Sequence, residues 1–272
     1  MYHIIINPAS RSGRGAKIWA EQVEPALKAG NTEYQTYFSG KAGEVRQLAA
    51  QITAEHAAEP DLTLIVLGGD GTINETLQGI ADPSKVILGY IPTGSSNDLA
   101  RDLGISKDPK AALNLILHNN TPRAMDLGRL TYLGIALKQL ITARKVSCTL
   151  TLEDKVHDKK ESVELPRFLF VTCMSHRYEG GGFMFCPPAV DHDGVLDLCS
   201  VGNISKGLVL LALPTAFFGK HYFVKGINAH TATQMSITAS APLWVHTDGE
   251  VTRKSRGFRV ECLPGAIRMI TP

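Results

Sequence analysis

The chain has 272 residues, 44% of them hydrophobic and 20% charged. That is enough apolar material for one large α/β domain or two ordinary ones, and too little charge for a disordered polymer. Lys and Arg number 28 against 26 Asp and Glu, a formal charge of +2, so no whole-molecule positive field calls for a nucleic-acid partner and any anion has to be bound locally.

His3 to Ile6 opens the chain as a strand, without the basic stretch and apolar run of a secretory leader, so the protein is expected in the cytoplasm. A helix is expected over Ala16 to Ala29 and another over Glu44 to Ala58. Leu62 to Leu67 is almost wholly apolar and stops at Gly68-Gly69, the mark of a parallel strand covered on both faces. Val86 to Pro92 reads as another strand, with helices after it over Asn97 to Leu103 and Lys110 to Leu117. Such alternation defines an open parallel α/β sheet.

From about Thr121 the texture changes. Ala124 to Thr131, Val146 to Glu153, Arg167 to Cys173, Leu196 to Val201, Met235 to Ala239 and Leu243 to Thr247 are short β-rich segments with Gly, Asp and Pro between them, as in a sandwich or barrel. Leu133, Ala136, Leu137, Leu140 and Ile141 keep a helical spacing and predict one amphipathic helix that packs on a sheet. The expected fold is therefore α/β plus all-β, an N-terminal open parallel α/β sheet over 1–122 followed by a β-sandwich over 123–272, the final residues being free to return to the first domain. The longest apolar run, Leu208 to Phe218, is well short of the roughly 20 residues that span a bilayer. Five cysteines without a CxxC pair read as reduced, mostly buried thiols rather than a disulfide framework or zinc site, and nine histidines form no HExxH, so a histidine-held metal is not expected.

Three turns carry the chemistry. Leu67-Gly68-Gly69-Asp70-Gly71-Thr72-Ile73-Asn74-Glu75 takes a buried strand through three glycines into a helix start, where backbone amides and the helix N-terminus favour a phosphate. It is neither a Walker A loop nor a dinucleotide GxGxxG, and an acidic Asp70 in such a loop makes sense if Mg²⁺ bridges it to phosphate. Asn7-Pro8-Ala9-Ser10-Arg11-Ser12-Gly13-Arg14-Gly15 and Pro92-Thr93-Gly94-Ser95-Ser96-Asn97-Asp98 also follow strands and precede helices. Each alone is explained by capping. Together, at the carboxyl ends of strands of one open sheet, they predict a polyphosphate site.

These segments, with Asp191-His192-Asp193-Gly194-Val195-Leu196-Asp197 and Thr247-Asp248-Gly249-Glu250, resemble the diacylglycerol-kinase-type lipid kinases, the family that includes sphingosine and ceramide kinases. The resemblance implies an ATP-binding α/β domain of NAD-kinase/diacylglycerol-kinase type, a β-sandwich lipid domain and catalysis in the cleft between them. It assigns to the nucleotide Asn7, Pro8, Ala9, Ser10, Arg11, Ser39, Gly68, Gly69, Asp70, Gly71, Thr72, Ile73, Asn74, Glu75, Gly94, Ser95 and Asn97. Ser39 and Ser95 stand where the family usually has threonine, and serine keeps the hydroxyl. Asp70 and Asp126 match acidic positions holding catalytic Mg²⁺ through waters. Asp248, with Glu250 beside it, matches the general base. Asp193, with the main-chain carbonyls of Val190 and Val195, matches a second, structural metal site.

The implied reaction is ATP-dependent phosphorylation of a lipid hydroxyl, diacylglycerol or a similar lipid, by a protein at the inner face of the membrane. A homodimer is compatible with it. Phe183, Phe185, Phe217 and Phe218 are candidates for an acyl channel or for ordinary core packing, and Lys220 and Lys225 for membrane contact or a solvated face. One departure stands out. Leu130-Thr131-Tyr132 runs straight into the helical pattern at Leu133, where related kinases carry a further strand and loop, so a few dozen residues are absent. Two alternatives stay open: an NAD-kinase-like enzyme and, if those residues are truly deleted rather than omitted from the sequence, a nucleotide- or lipid-binding protein disabled by their loss.

Overall fold

Ile4, Ile5 and Ile6 have no exposed surface, and neither have Leu64, Ile65, Val66 and Leu67. Strands so uniformly buried belong in the middle of a parallel sheet with helices on both faces. The computed structural model describes residues 1–119, 121–133, 146–179, 181–247 and 250–272. The chain divides into two units, Met1–Met125 with Ala266–Pro272, and Asp126–Gly265.

In the first unit, β1 (Tyr2–Ile6) lies between β2 (Tyr34–Phe38) and β3 (Leu62–Gly68), followed by β4 (Val86–Pro92). All pair in parallel, His3 opposite both Gln35 and Leu64. The end of the last strand of the chain, β13 (Glu250–Met269), adds to β4 through Arg268 and Met269. The connecting helices are α1 (Ser10–Ile18), α2 (Glu24–Ala29), α3 (Glu44–Glu55), α4 (Asp70–Gly79), α5 (Asp98–Asp102) and α6 (Pro109–His118). The single helix expected over Ala16 to Ala29 is broken by a π turn at Trp19–Val23, where the Glu24 amide donates to the Trp19 carbonyl. Pro25 is the cause: it has no N–H for the Glu21 carbonyl and its ring crowds that turn. α3 stops at Glu55, short of the expected Ala58, because a turn closed by the Glu59 amide on the His56 carbonyl (2.9 Å) ends it.

The second unit contains β6 (Val146–Asp154), β7 (Lys159–Met174), β10 (Leu196–Gly202), β11 (Ile227–Ala232), β12 (Gln234–Thr247) and most of β13 in an antiparallel order β11-β10-β7-β6-β12-β13. β5 (Arg123–Leu133) leads into it, β8 (Tyr178–Glu179) and β9 (Phe183–Met184) form a separate small pair, and α7 (Lys206–Ala216) follows β10. One core gathers Leu150, Leu152, Leu165, Leu198, Met235 and Ile237; another gathers Met174, Cys186, Cys199, Val201, Ala212 and Ile227. The fold is thus α/β followed by a β-sandwich-like domain.

The strands expected over Met235 to Ala239 and Leu243 to Thr247 are one strand, β12, whose register against β13 shifts between Thr238 and Leu243. The segment Arg167 to Cys173 is only the second half of β7; the first half, Lys-Lys-Glu-Ser-Val-Glu, hides its strand character behind charged, mostly exposed side chains. Of the expected amphipathic helix, Leu133 ends β5 and Ala136, Leu137, Leu140 and Ile141 lie outside the described residues. All five cysteines are free, and burial pushes the Cys148 and Cys173 thiols up to about 12. Among the described residues no helix is long and apolar enough to cross a membrane.

Candidate functional site

β1 delivers Asn7 to the edge of the sheet, its amide still bonded to the Leu67 carbonyl at 2.9 Å. The side chain then reaches across: Nδ2 donates to Thr72 Oγ1 (3.1 Å), while Oδ1 accepts the Ala9 amide (3.1 Å). The first residues of α1 are not helical but form a left-handed kink at three successive positions, Arg11 (φ 50°), Ser12 (φ 60°) and Gly13 (φ 90°), which serves as the loop between β1 and the regular part of the helix. Only Gly13 adopts that region freely; for Arg and Ser the cost is about 1–2 kcal/mol each, strain of the kind stored at ligand sites. Ser10 Oγ shares a 2.8 Å hydrogen bond with Thr93 Oγ1, so the first loop is tied to the second through Asn7 and to the third through Ser10.

The second and third loops meet glycine on glycine. A Cβ on Gly94 would lie 2.6 Å from the Gly69 Cα and 2.7 Å from Asn97 Oδ1, so no side chain fits there without parting the loops, and a Cβ on Gly69 would press on the Gly94 Cα at 3.1 Å. The Thr93 amide donates to the Gly68 carbonyl at 2.7 Å. Asn97, itself left-handed (φ 54°), accepts the Gly94 amide (2.9 Å) and the Tyr90 hydroxyl (3.3 Å) and returns a bond to the Gly94 carbonyl (3.0 Å). Burial, then the Asp70 and Asp98 charges, push the Tyr90 phenol up, which keeps it a neutral donor. Asp70 opens α4 and caps α5, its carboxylate accepting the amides of Asp98 (3.0 Å) and Leu99 (3.3 Å).

The remaining expected nucleotide residues take varied places. Pro8 accepts the Ala16 amide (3.3 Å), and Ser39 sits buried at the end of β2 with its hydroxyl on the Ile6 carbonyl (3.4 Å). Ile73 belongs to the core, and Asn74, also buried, accepts from Gln78 (3.1 Å). Glu75 accepts the Gly43 amide (3.2 Å), whereas Gly71 and Ser95 are exposed. Arg11 lines a depression of about 380 Å³ together with Arg14, Lys17 and Lys107. Lys107, which the sequence did not single out, donates to the Ser96 carbonyl (3.4 Å) and so belongs to the third loop. Its signal was weak because a lone lysine before Asp-Pro reads as the lead-in to a helix.

In the second unit, Asp126 is 2% exposed and accepts the Gly194 amide (2.5 Å) and the Gly265 amide (2.7 Å). It is thereby joined to the 191–195 turn, in which Asp193 accepts the Val195 amide (3.1 Å); Val190, just before the turn, is exposed. Burial and the neighbouring Asp193 push the Asp197 carboxyl up to about 6. Phe183 stacks on Phe185 (5.7 Å between centroids) and meets Phe217 (4.1 Å), while Phe218 is 75% exposed. Asp248 lies outside the described residues; Glu250 opens β13, paired with Thr247.

A parallel sheet whose strand-to-helix loops interlock, followed in the chain by an antiparallel sandwich-like unit, is the architecture of the diacylglycerol-kinase and NAD-kinase class. Residues 1–130 match the diacylglycerol kinase catalytic domain and residues 112–271 the YegS C-terminal NAD kinase beta sandwich-like domain. The chain belongs to the diacylglycerol-kinase-type lipid kinase family. A diacylglycerol kinase from Mycobacterium tuberculosis is 25% identical over 98% of this chain and 94% of its own length. That alignment runs to 305 positions against a chain of 272 residues, so a few dozen positions of the relative face no residue here. A crystal structure of a diacylglycerol kinase from Bacillus anthracis has a TM-score of 0.71 at 21% identity, covering 100% of this chain and 96% of that one. An NAD kinase from Archaeoglobus fulgidus, solved with ATP, is a more distant fold relative, with a TM-score of 0.55 at 12% identity, covering 100% of this chain and 94% of that one.

Proposed function

We propose that the chain transfers the γ-phosphoryl group of ATP to the hydroxyl of a lipid, diacylglycerol or a similar lipid alcohol. The observation that carries this reading is the interlocking of three loops, Asn7 on Thr72, Ser10 on Thr93 and Gly69 against Gly94, beside the cations of Arg11, Arg14, Lys17 and Lys107. Phosphoryl transfer asks a protein mainly to position and neutralise a triphosphate. Fixed loops answer the first need, and the cations answer the second, although Lys17 is paired with Glu21 in the same depression (3.8 Å). The family and its diacylglycerol kinase relative support the lipid acceptor over NAD.

Asp248 is proposed to take the proton of the lipid hydroxyl, with Glu250 beside it. Asp70 and Asp126 would hold Mg²⁺ through waters. Each already accepts two amides, so lone pairs remain for a water shell but not for a full protein cage. Asp193, with the Val190 and Val195 carbonyls, would hold a second ion. When bound, Mg²⁺ supplies neutralisation of the phosphate oxygens.

For the acceptor, a small apolar recess against α7 is lined by Phe170, Phe185, Val209 and Leu213. Around it Leu211, Phe218 and Phe223 are exposed, and residues 206–226 contain three lysines and no acidic residue. Such a surface suits peripheral contact with an anionic bilayer. The test is a labelled-ATP assay with lipid extracts in mixed micelles and, separately, with NAD. Label is expected in a lipid product. Transfer to NAD, or ATP binding with no transfer to any alcohol, would overturn the reading.

A further inference from the structure

The phosphate loops occupy the C-terminal ends of β1, β3 and β4. The opposite end of β1 holds a group that the kinase reading does not use. His3 is wholly buried, with Nδ1 3.1 Å from the Tyr37 hydroxyl and Nε2 buried without a hydrogen-bond partner. The ring of His56 stands 4.1 Å away, centroid to centroid. His56 ends α3, and Glu59, held one turn further on by its amide bond to the His56 carbonyl, places Oε1 2.7 Å from His56 Nδ1. One donor atom from each of His3, His56 and Glu59 lies within 4.8 Å of the other two.

We propose that His3, His56 and Glu59 form a binding site for a divalent transition-metal ion of the zinc type. Without an ion, a buried ring nitrogen is left unsatisfied, a cost that a native core seldom carries unexplained. In the tautomer whose proton sits on Nδ1 and is donated to the Tyr37 hydroxyl, that hydroxyl takes the outer-acceptor role that fixes a ligating histidine, and Nε2 keeps a free lone pair for the ion. Two imidazoles and one carboxylate suit Zn²⁺, Co²⁺ or Ni²⁺ rather than Mg²⁺, which prefers oxygen. A tetrahedral ion needs its ligand atoms roughly 3.4 Å apart. The side chains of His56 (19% exposed) and Glu59 (53% exposed) have the freedom to reach that spacing around the fixed His3.

Four residues of strand, about 13 Å, separate His3 from Asn7. The ion is therefore not the catalytic one. It would pin the end of α3 and the turn before β3 to the start of β1, and the site stands whether or not the kinase reading does.

The experiment uses the full chain, stripped with a chelator and titrated with Co²⁺ and then Zn²⁺. One Co²⁺ per chain is expected, with the visible ligand-field bands of a four- or five-coordinate site, and Zn²⁺ should displace it. His56→Ala and Glu59→Gln, on the accessible side of the cluster, should each weaken Zn²⁺ at least tenfold while leaving unfolding of the metal-free protein nearly unchanged. His3→Gln should remove the bands altogether; should that variant fail to fold, the other two carry the test. Absence of bands in the parent protein, or the same bands and affinity in His56→Ala, would overturn the site.

Discussion

Asp70 and Asp126 are each a carboxylate clamped by two backbone amides, but the clamps are built from very different stretches of chain. Asp70 holds Asp98 and Leu99, 28 and 29 residues away, the next strand-to-helix corner of the same sheet. Asp126 holds Gly194 and Gly265, 68 and 139 residues away, segments that meet only when the antiparallel unit has closed. The first unit assembles its site by repeating one local device, strand, glycine loop, helix. The second assembles its polar centre from single residues scattered along the chain. That contrast predicts where substitutions remove chemistry and where they remove structure.

The largest effect is expected at Asp248. If it is the base, Asp248→Asn should lower the rate of lipid phosphorylation by about 10²–10⁴ and leave Mg·ATP affinity within about twofold, read by labelled-ATP transfer and by calorimetry. Retention of most activity would move the base elsewhere. Next comes the glycine contact of the first unit. In Gly94→Ala the new methyl meets Gly69 and Asn97, so the loops must part. Mg·ATP affinity should fall at least tenfold, with a loss of about 1–3 kcal/mol in denaturant unfolding. An unchanged affinity would mean that the interlocked loops are not the triphosphate site.

Asp126→Asn should act on structure first. The amide keeps one oxygen for one of the two backbone N–H groups and turns an NH₂ toward the other, at a site 2% exposed. The expected loss is about 1–3 kcal/mol by urea denaturation. Asp70→Asn, at a less buried helix cap, should cost less. Equal losses at the two positions would erase the difference between local and long-range clamps.

The same contrast explains what the sequence disclosed. Gly68-Gly69-Asp70-Gly71-Thr72 and Pro92-Thr93-Gly94 were legible because a buried strand, a glycine turn and a helix start are written side by side. Lys107 and the Asp70 clamp on α5 were not, since each depends on a partner in another loop. In the second unit, β7 and β13 were read only in part or not at all. The charged first half of β7 resembles a solvated loop, and Gly257, Pro264 and Gly265 punctuate β13 like turns, although the strand runs through all three. The metal-type cluster of His3, His56 and Glu59 left no trace in the spacing, because β1 supplies one member and the end of α3 the other two.

The smallest expected effect is a pH dependence belonging to the second unit. His230, on β11, is bonded to Ser200 (3.0 Å), and burial lowers its pKa from 6.5 against a weaker opposing pull from Glu161. Below pH 6.5 the unfolded chain takes up a proton at this position before the native chain does. Stability therefore falls as pH drops from that value towards the lowered native one. His230→Gln removes the difference while keeping a polar partner for Ser200, so its unfolding midpoint should decline less than that of the parent between pH 7 and pH 5.5. Parallel declines would show that the acid sensitivity of the chain comes from other groups, of which His221, whose pKa burial also lowers, is the first to substitute.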